Sequence, residues 1–209
     1  MLSQKFLDPY TSKTPPWGFN GLGYIVYKRT YARIVNEETN ETEDWWQTCQ
    51  RVVDGADAIG AELPKDESER LFDYMFNLKG LPGGRMLWQL GTPNNFRLGG
   101  DSLCNCWFVD IQKPEDFAWM FERLMLGGGV GFSILNPQRL GIVRQGVVTN
   151  HNVPDADYIA PDKREGWSEC LLRAMKTYLG DQDDPTELAY STEMIRPAGA
   201  PIKTFGGTA

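Results

Sequence analysis

The feature that most constrains the fold is a pair of apolar runs separated by one helix-length segment. The first run, residues 103–111, follows a polar turn, and the second, residues 130–135, follows three consecutive glycines. Between them, residues 114–126 begin with proline and carry apolar side chains at helical spacing. The pattern predicts a strand–helix–strand unit of an α/β fold. It also places cysteines at the start of the first strand, a region where we expect an α/β enzyme to hold its chemistry.

Charge and cysteine content narrow the class of protein. The chain has 209 residues, 41% of them hydrophobic, which is enough for a core in one or two domains. The formal net charge of −7 disfavours broad nucleic-acid binding, which depends on neutralising phosphates. No run approaches the ~20 apolar residues of a membrane span, and the start lacks the apolar region of a secretory signal. Four irregularly spaced cysteines favour reduced thiols in a cytoplasmic protein.

The remaining segments complete a coarse map of the chain. Apolar spacing predicts helices at residues 45–56, 66–79 and 164–179, a short buried element at 86–88 and a short strand at 142–148. The aromatic and basic segment 24–33 is interpreted as packed chain whose cations extend to solvent. We divide the chain into an N-terminal arm and helical region, 1–80, and a second region, 81–209.

Two cysteines are the first candidates for chemistry. Cys104 and Cys106 are two residues apart, so in a strand they would share one face with α-carbons ~6.6 Å apart. That geometry disfavours a direct disulfide between them. The alternative interpretation is two small buried residues. No metal site is expected, because His151 is the only histidine and no Cys-x-x-Cys occurs.

Glycine-rich loops are the second candidates. Residues 127–131 allow the backbone to approach a neighbour or a ligand closely. They lack the Lys-Ser/Thr of a phosphate-binding loop and precede a strand, which excludes the usual nucleotide-loop interpretation and leaves tight packing as the alternative. The terminal Gly206-Gly207-Thr208 has backbone amides that could cradle a phosphate or a base.

Taken together, seven segments resemble one family. The chain is similar to the N-terminal part of adenosylcobalamin-dependent (class II) ribonucleotide reductases, and more narrowly to the monomeric type that acts on ribonucleoside triphosphates. The segments span roughly residues 24–209 and occur in the same order as in the family: 27–33, 84–92, 101–109, 127–133, 164–167, 195–200 and 205–209.

The resemblance implies both a fold and a redox role. The implied fold is α/β, an N-terminal helical region followed by the first strands of a ten-stranded barrel that is incomplete in this chain. Cys106 matches one member of the family's cysteine pair, which becomes a disulfide as the ribose loses its 2′-hydroxyl in thiyl-radical chemistry. Cys104 stands where the related pattern carries Asn and receives no catalytic role.

Further roles are implied for loops and partners. Substrate-binding residues are expected at Arg85, Thr92, Asn105, Gly206 and Gly207, and effector-binding residues at Arg139, Arg196 and Lys203. The implied cofactor is adenosylcobalamin, held mainly outside this chain, and the implied effector is a dNTP or ATP. The implied partners are a ribonucleoside triphosphate, the C-terminal remainder of the reductase and a thioredoxin-like reductant acting through that remainder. Residues 136–162 are shorter than the matching region of the monomeric enzymes, where an insertion builds the effector site.

Two classes of function stay open at this point. The chain is either part of a split or interrupted reductase completed elsewhere, or a non-catalytic nucleotide-binding or regulatory fragment that keeps the effector loops. A plain thiol-redox protein explains none of the other segments. Substitution of Cys106 by Ser separates the first two classes, because only the first requires that thiol.

Overall fold

The structure is a computed structural model that describes residues 1–36, 38–141, 143–151 and 155–200. The chain forms two compact units, an N-terminal unit (Met1–Cys104) and a C-terminal unit (Asn105–Ala209). The functional boundary at residues 80 and 81 stays a prediction, because the compact units reflect contacts and not roles. Within the described ranges, no helix combines the length and the apolar content needed to cross a membrane.

The N-terminal unit is mostly helical. Its helices are α1 (Gln4–Leu7), α2 (Leu22–Thr30), α3 (Trp45–Ala56), α4 (Lys65–Phe76), α5 (Gly84–Gln89) and α6 (Pro93–Leu98). Short 3₁₀ helices lie at Asp8–Tyr10, Phe19–Gly21 and Gly99–Leu103, and a π-helical turn lies at Asp57–Ala61. An antiparallel ribbon of β1 (Ile34–Asn36) and β2 (Glu41–Thr42) precedes α3. The predicted helix at 45–56 is confirmed as α3, and the short element at 86–88 lies in α5. The helix predicted at 66–79 is confirmed as α4 but ends at Phe76, since Leu78 has a φ of +56° and cannot continue a helix.

Aromatic side chains form the core of this unit. Phe72 of α4 has 0% exposure, and its ring meets those of Phe6 and Tyr10 edge-on, with centroids 5.4 and 4.8 Å away. Trp45 of α3 is buried edge-on against Tyr27 of α2, with centroids 5.0 Å apart. Burying one large apolar side chain contributes ~1.5–3 kcal/mol. The N-terminal unit therefore has a hydrophobic core of its own.

Helix α2 corrects the interpretation of the aromatic and basic segment. Only the face with Tyr27 is buried, while three neighbouring side chains are exposed: Tyr24, Ile25 and Val26. A single packed segment was expected, but a helix divides its side chains between a buried and an exposed face. The Lys28 cation is held by the protein, because its Nζ donates a hydrogen bond of 2.8 Å to the carbonyl oxygen of Glu43.

The C-terminal unit is built from parallel strand pairs. Its elements are β3 (Cys106–Asp110), α7 (Pro114–Met125), β4 (Gly129–Ser133), a short turn at Pro137–Leu140, β5 (Val147–Asn150), β6 (Tyr158–Ile159), α8 (Arg164–Leu179) and β7 (Glu187–Ser191). β3 and β4 pair in parallel with α7 between them along the chain, which confirms the predicted strand–helix–strand unit. β5, β7 and β6 form a second parallel sheet in that order.

Local chemistry explains where α7 begins and ends. Pro114 occupies the first helical position, where its missing N–H costs nothing. The Asp116 carboxylate accepts hydrogen bonds from the backbone N–H of Gln112 at 2.8 Å and of Lys113 at 3.1 Å. Gly127 ends the helix with φ of 78°, a left-handed conformation that glycine adopts without strain.

Two further predictions meet different outcomes. The helix predicted at residues 164–179 is confirmed as α8. The strand predicted at 142–148 is wrong in its bounds, since β5 covers Val147–Asn150 and pairs in register with β7. Ile142 lies outside the described residues.

Candidate functional site

Cys106 stands at an open end of the β3–β4 sheet. It is the first residue of β3 and lies opposite Gly129 of β4 in parallel register. The carbonyl oxygen of Asn105 accepts a hydrogen bond of 2.9 Å from the backbone N–H of Gly129. A Cβ at position 129 would meet nothing within 4 Å. The backbone is therefore fixed by the ladder while the space next to it stays accessible.

Accessibility divides the four cysteines into two classes. Cys104 and Cys106 are exposed, whereas Cys49 and Cys170 are buried. Burial raises the pKa of the Cys49 and Cys170 thiols, because desolvation penalises the thiolate. Thiolates carry out disulfide exchange, so the exposed pair is the one suited to redox chemistry. The alternative interpretation of Cys104 and Cys106 as buried small residues is wrong.

Cys104 does not belong to the strand. It directly follows the turn Gly99–Leu103, and its backbone N–H donates to the carbonyl oxygen of Asp101 at 3.4 Å. The expectation that Cys104 and Cys106 share one strand face is wrong, because β3 begins only at Cys106. All four cysteines are free in this structure.

The glycine loop is used for close packing against aromatic side chains. A Cβ at Gly128 would overlap the ring of Trp107 in β3. A Cβ at Gly131 would lie 3.1 Å from Cδ2 of Phe108, tighter than ordinary contact. Of the two interpretations left open for this loop, these contacts support tight packing.

The opposite, carboxyl end of the sheet holds a polar cluster that sequence reasoning missed. The Ser133 hydroxyl donates to the Asp110 carboxylate at 2.7 Å, and the Gln112 side-chain amide donates to it at 3.0 Å. These two hydrogen bonds, the one from Ser133 first, lower the pKa of Asp110. Arg139 Nη1 in turn donates to Gln112 Oε1 at 2.9 Å. The sequence offered only a weak signal, a polar residue near the end of each predicted strand, because the register that joins Asp110 to Ser133 is known only from the structure.

The predicted redox residue and one predicted effector residue lie at opposite ends of the β3–β4 sheet. Open α/β sheets hold ligands at the carboxyl ends of their strands. Cys106 is at the amino end of β3, so the expectation that it lies at the end commonly used by α/β enzymes is wrong. Arg139 contacts Gln112 just beyond the carboxyl end. Five residues of strand span about 13 Å, and this length separates the predicted redox and effector positions.

The predicted substrate residues of the N-terminal unit lie on α5 and at the start of α6. Arg85 is the second residue of α5 and is half-buried. Thr92 is 5% exposed; its hydroxyl accepts from the backbone N–H of Asn95 at 3.2 Å and donates to the carbonyl oxygen of Gln89 at 2.7 Å. The Thr92 hydroxyl therefore caps α6.

The other predicted positions differ in what can be said of them. Asn105 is exposed beside Cys106. Arg196 Nε donates to the Asp162 carboxylate at 2.8 Å in an ion pair. Three predicted residues lie outside the described part of the chain: Lys203, Gly206 and Gly207.

The apolar pocket of the N-terminal unit does not fit adenosylcobalamin. Among the described residues, no group of three or more His, Cys, Asp or Glu side chains could hold a metal ion. A pocket of about 650 Å³ in the N-terminal unit is lined mainly by apolar and aromatic side chains such as Trp17, Leu22 and Trp45. That volume suits a smaller, drug-sized ligand. Its lining lacks the polar groups that an amide-rich corrin and its nucleotide tail would require.

Comparison with known proteins adds the family context. The sequence model of the ribonucleotide reductase alpha domain matches residues 2–92. An adenosylcobalamin-dependent ribonucleoside-triphosphate reductase from Euglena gracilis is 36% identical over 227 residues, covering 100% of this chain and 30% of that protein. One from Lactobacillus leichmannii is 35% identical over 269 residues, covering 100% of this chain and 36% of that protein. The chain spans about a third of the length of these curated relatives.

A solved structure agrees with the sequence relatives. The crystal structure of a B12-dependent (class II) ribonucleotide reductase matches with a TM-score of 0.76 and 32% identity, covering 100% of this chain and 37% of that one. The predicted fold, helices followed by the first strands of an incomplete α/β barrel, is confirmed by this match and by the two small parallel sheets. The resemblance to the N-terminal part of class II reductases is confirmed as well.

Proposed function

The chain belongs to the ribonucleotide reductase family, and from that premise we propose that it supplies the N-terminal part of an adenosylcobalamin-dependent reductase of ribonucleoside triphosphates. Its contribution to the chemistry is the redox thiol of Cys106. The second redox thiol, the radical-bearing thiol and the cofactor site are assigned to the rest of the protein.

The observation that carries this proposal is the setting of Cys106. Its thiol is exposed, and its backbone is held by a parallel ladder whose partner residue is a glycine. Cys49 and Cys170 are buried with raised pKa values, which disfavours both as reductants. A fixed backbone beside open space allows a second thiol and a ribose to approach the same sulfur.

The proposed reaction balances with two thiols. A thiyl radical elsewhere in the enzyme takes the 3′-hydrogen of the ribose and later returns it. Cys106 and its partner together supply two electrons and two protons and become a disulfide, while the 2′-hydroxyl leaves as water. One ribonucleotide and two thiols thus give one deoxyribonucleotide, one disulfide and one water. A thioredoxin-like reductant, acting through the rest of the protein, restores both thiols.

Phosphate recognition is assigned to the cationic side chains near the loops. Guanidinium groups bind phosphate through paired N–H donors, which suits Arg85 for the substrate and Arg139 and Arg196 for a dNTP or ATP effector. Thr92, Asn105, Gly206 and Gly207 are assigned to substrate, and Lys203 to effector. The protein is proposed to work in the cytoplasm.

The proposal that further chain, either a continuation or a second polypeptide, covers the β3–β4 sheet is supported by exposed aromatic side chains on both faces of this sheet. Phe108 is 68% exposed and Phe132 is 56% exposed, although both lie in strands. Exposed aromatic faces of this kind are typical of surfaces that another segment covers. Native mass measurement of the protein, purified through a tag near Met1, tests this point: a species of 23.6 kDa with full activity would contradict it.

The test of the proposed function uses two matched variants of the complete protein. We expect Cys106→Ser to abolish multiple-turnover reduction of a ribonucleoside triphosphate with adenosylcobalamin while nucleotide binding persists. Cys104→Ser, two residues away, should retain reduction. Full turnover in Cys106→Ser would overturn the proposal and would favour a non-catalytic nucleotide-binding fragment.

A further inference from the structure

A buried ion pair in the N-terminal unit, Glu43 with Arg51, belongs to none of the catalytic, substrate or effector positions described above. Glu43, between β2 and α3, is 5% exposed. Arg51 of α3 donates to it twice, from Nε to Oε1 at 2.7 Å and from Nη2 to Oε2 at 3.0 Å. This bidentate geometry fixes the plane of the guanidinium group. The Thr48 hydroxyl and the backbone N–H of Arg33 also donate to Glu43, at 2.8 and 3.1 Å.

The remaining donors of Arg51 reach the end of α5. Nη1 donates to the carbonyl oxygen of Leu90 at 2.6 Å, and Nη2 donates to that of Leu87 at 2.9 Å. Carbonyls in the last turn of a helix have no partner within the helix, and a cation there is favourable. Arg51 therefore ties the end of α5 to α3. Leu87 lies two residues after Arg85, and Leu90 lies two residues before Thr92.

Gly91 is held against α3 by direct backbone contact. Its φ is +76°, and a Cβ at this position would overlap the carbonyl oxygen of Arg51. A Cβ at Gly55 of α3 would in turn overlap the backbone of Gly91. Only glycine at both positions permits this approach. Arg51 and Gly55 of α3 thus both hold the segment between Arg85 and Thr92, and we call these contacts the clamp.

The clamp continues into a polar network around Asn95. Its side chain accepts from the backbone N–H of Gly91 at 3.3 Å and donates to the Ser102 hydroxyl at 3.0 Å. Asn95 is 0% exposed, and Ser102 is 2% exposed. The hydrogen bonds that begin at Glu43 therefore fix the backbone on both sides of Thr92.

We propose that Arg51, oriented by Glu43, is a positioning residue that sets the geometry of the substrate segment 85–92 without touching substrate. The proposal rests on the proposed function, which assigns Arg85 and Thr92 to substrate. A buried ion pair stabilises a protein no better than apolar side chains of similar size. Among the described residues, the hydrogen bonds that Arg51 donates go either to Glu43 or to the end of α5. These hydrogen bonds fix the position of α5 against α3, which explains why a charged pair occupies a buried position.

The experiment removes the clamp without leaving a buried charge. In the complete protein, Glu43→Gln with Arg51→Met replaces both charges by side chains of similar size, and Arg51→Lys keeps the charge but loses the paired donors. The matched control is Glu169→Gln with Arg173→Met, which removes an exposed Arg–Glu pair on α8 whose Nε–Oε1 distance is also 2.7 Å. KM, kcat and the Kd of the ribonucleoside triphosphate are measured well below the thermal midpoint of every variant.

We expect the Glu43/Arg51 double variant to raise KM and Kd about tenfold, because small displacements of binding groups are costly, while alkylation of Cys106 is unchanged. Arg51→Lys should fall between wild type and the double variant, and it carries the test if the double variant does not fold. Wild-type KM and Kd in either folded variant, with only the thermal midpoint lowered, would overturn the positioning role and leave the proposed function intact. A wild-type protein that neither binds nor reduces the nucleotide would instead overturn the proposed function and this role with it.

Discussion

The two units of the chain bury their apolar side chains to different degrees. The N-terminal unit contains a continuous core of aromatic and aliphatic side chains centred on Phe72, which is 0% exposed. The C-terminal unit presents large apolar side chains on β3 and β4, with Phe108 at 68% exposure and Phe132 at 56%. The helices of the first unit are therefore stabilised by their own packing, whereas the strands beside the thiol leave aromatic side chains available to further structure.

The largest expected effect is a contrast between two Phe→Ala substitutions. Phe72→Ala removes a ring packed against Phe6 and Tyr10 and should lower the free energy of unfolding by about 3–5 kcal/mol. Phe108→Ala in the isolated chain should change it by only about 0.5 kcal/mol, because the ring is mostly in solvent. Urea unfolding measures both. Equal losses of unfolding free energy at the two positions would show that the two units pack these rings equally well, contrary to the difference described above.

A smaller effect is expected within the glycine loop. Gly128→Ala would overlap the Trp107 ring and should cost about 1–3 kcal/mol, since a packed ring must move. Gly129→Ala, whose Cβ would meet nothing, is the matched control. The urea midpoints of the two variants show whether the second unit contains well-packed sites beside its exposed strand faces. A Gly128→Ala variant as stable as Gly129→Ala would indicate that Trp107 is loosely held.

The buried thiol of the N-terminal unit predicts a dependence of stability on pH. Burial raises the pKa of Cys49 above its unfolded value of about 8.5, so its contribution is complete below that pH and is lost as pH rises toward the folded pKa. The free energy of unfolding should fall by up to about 1.4 kcal/mol per pH unit above pH 9. Cys49→Ala removes this component. Urea unfolding at pH 7.5 and 10 checks it, and an identical pH dependence in the variant would contradict the assignment.

The smallest perturbation is a chemical one. In the native protein, a maleimide should modify Cys104 and Cys106 rapidly, whereas Cys49 and Cys170 should react only after unfolding. Peptide mass spectrometry with and without urea measures this. Fast native labelling of Cys49 would show that the core of the first unit opens, which would weaken the contrast between the units.

Local patterns predicted most of the backbone. The helix at residues 164–179 and the unit formed by β3, α7 and β4 follow from apolar spacing and from Pro114, signals contained within each segment. The start of β3 was misjudged because Cys104 is held by a turn that depends on Asp101. The apolar spacing of residues 24–33 does not indicate helix α2, because apolar side chains lie on both its buried and its exposed face.

The polar contacts could not be read from spacing. Ser133 meets Asp110 only because two strands pair in a particular register, 23 residues apart in the chain. Arg51 reaches Leu90 across 39 residues, through a packing of α3 on α5 that no single segment encodes. Thr92 was expected to bind substrate, and its burial became visible only with α6 in place. Residue types in isolation therefore indicate chemistry, while tertiary pairing decides which groups are already engaged.

Cys106 is proposed to supply reducing equivalents to a ribonucleotide. The most direct measurement is a single turnover of the complete protein with a ribonucleoside triphosphate and adenosylcobalamin, without external reductant, followed by alkylation and peptide mass spectrometry. We predict that Cys106 becomes resistant to alkylation in proportion to the deoxyribonucleotide formed, is released by a reducing agent, and that Cys104 stays fully alkylated. Deoxyribonucleotide formed while Cys106 remains fully alkylated would contradict the account.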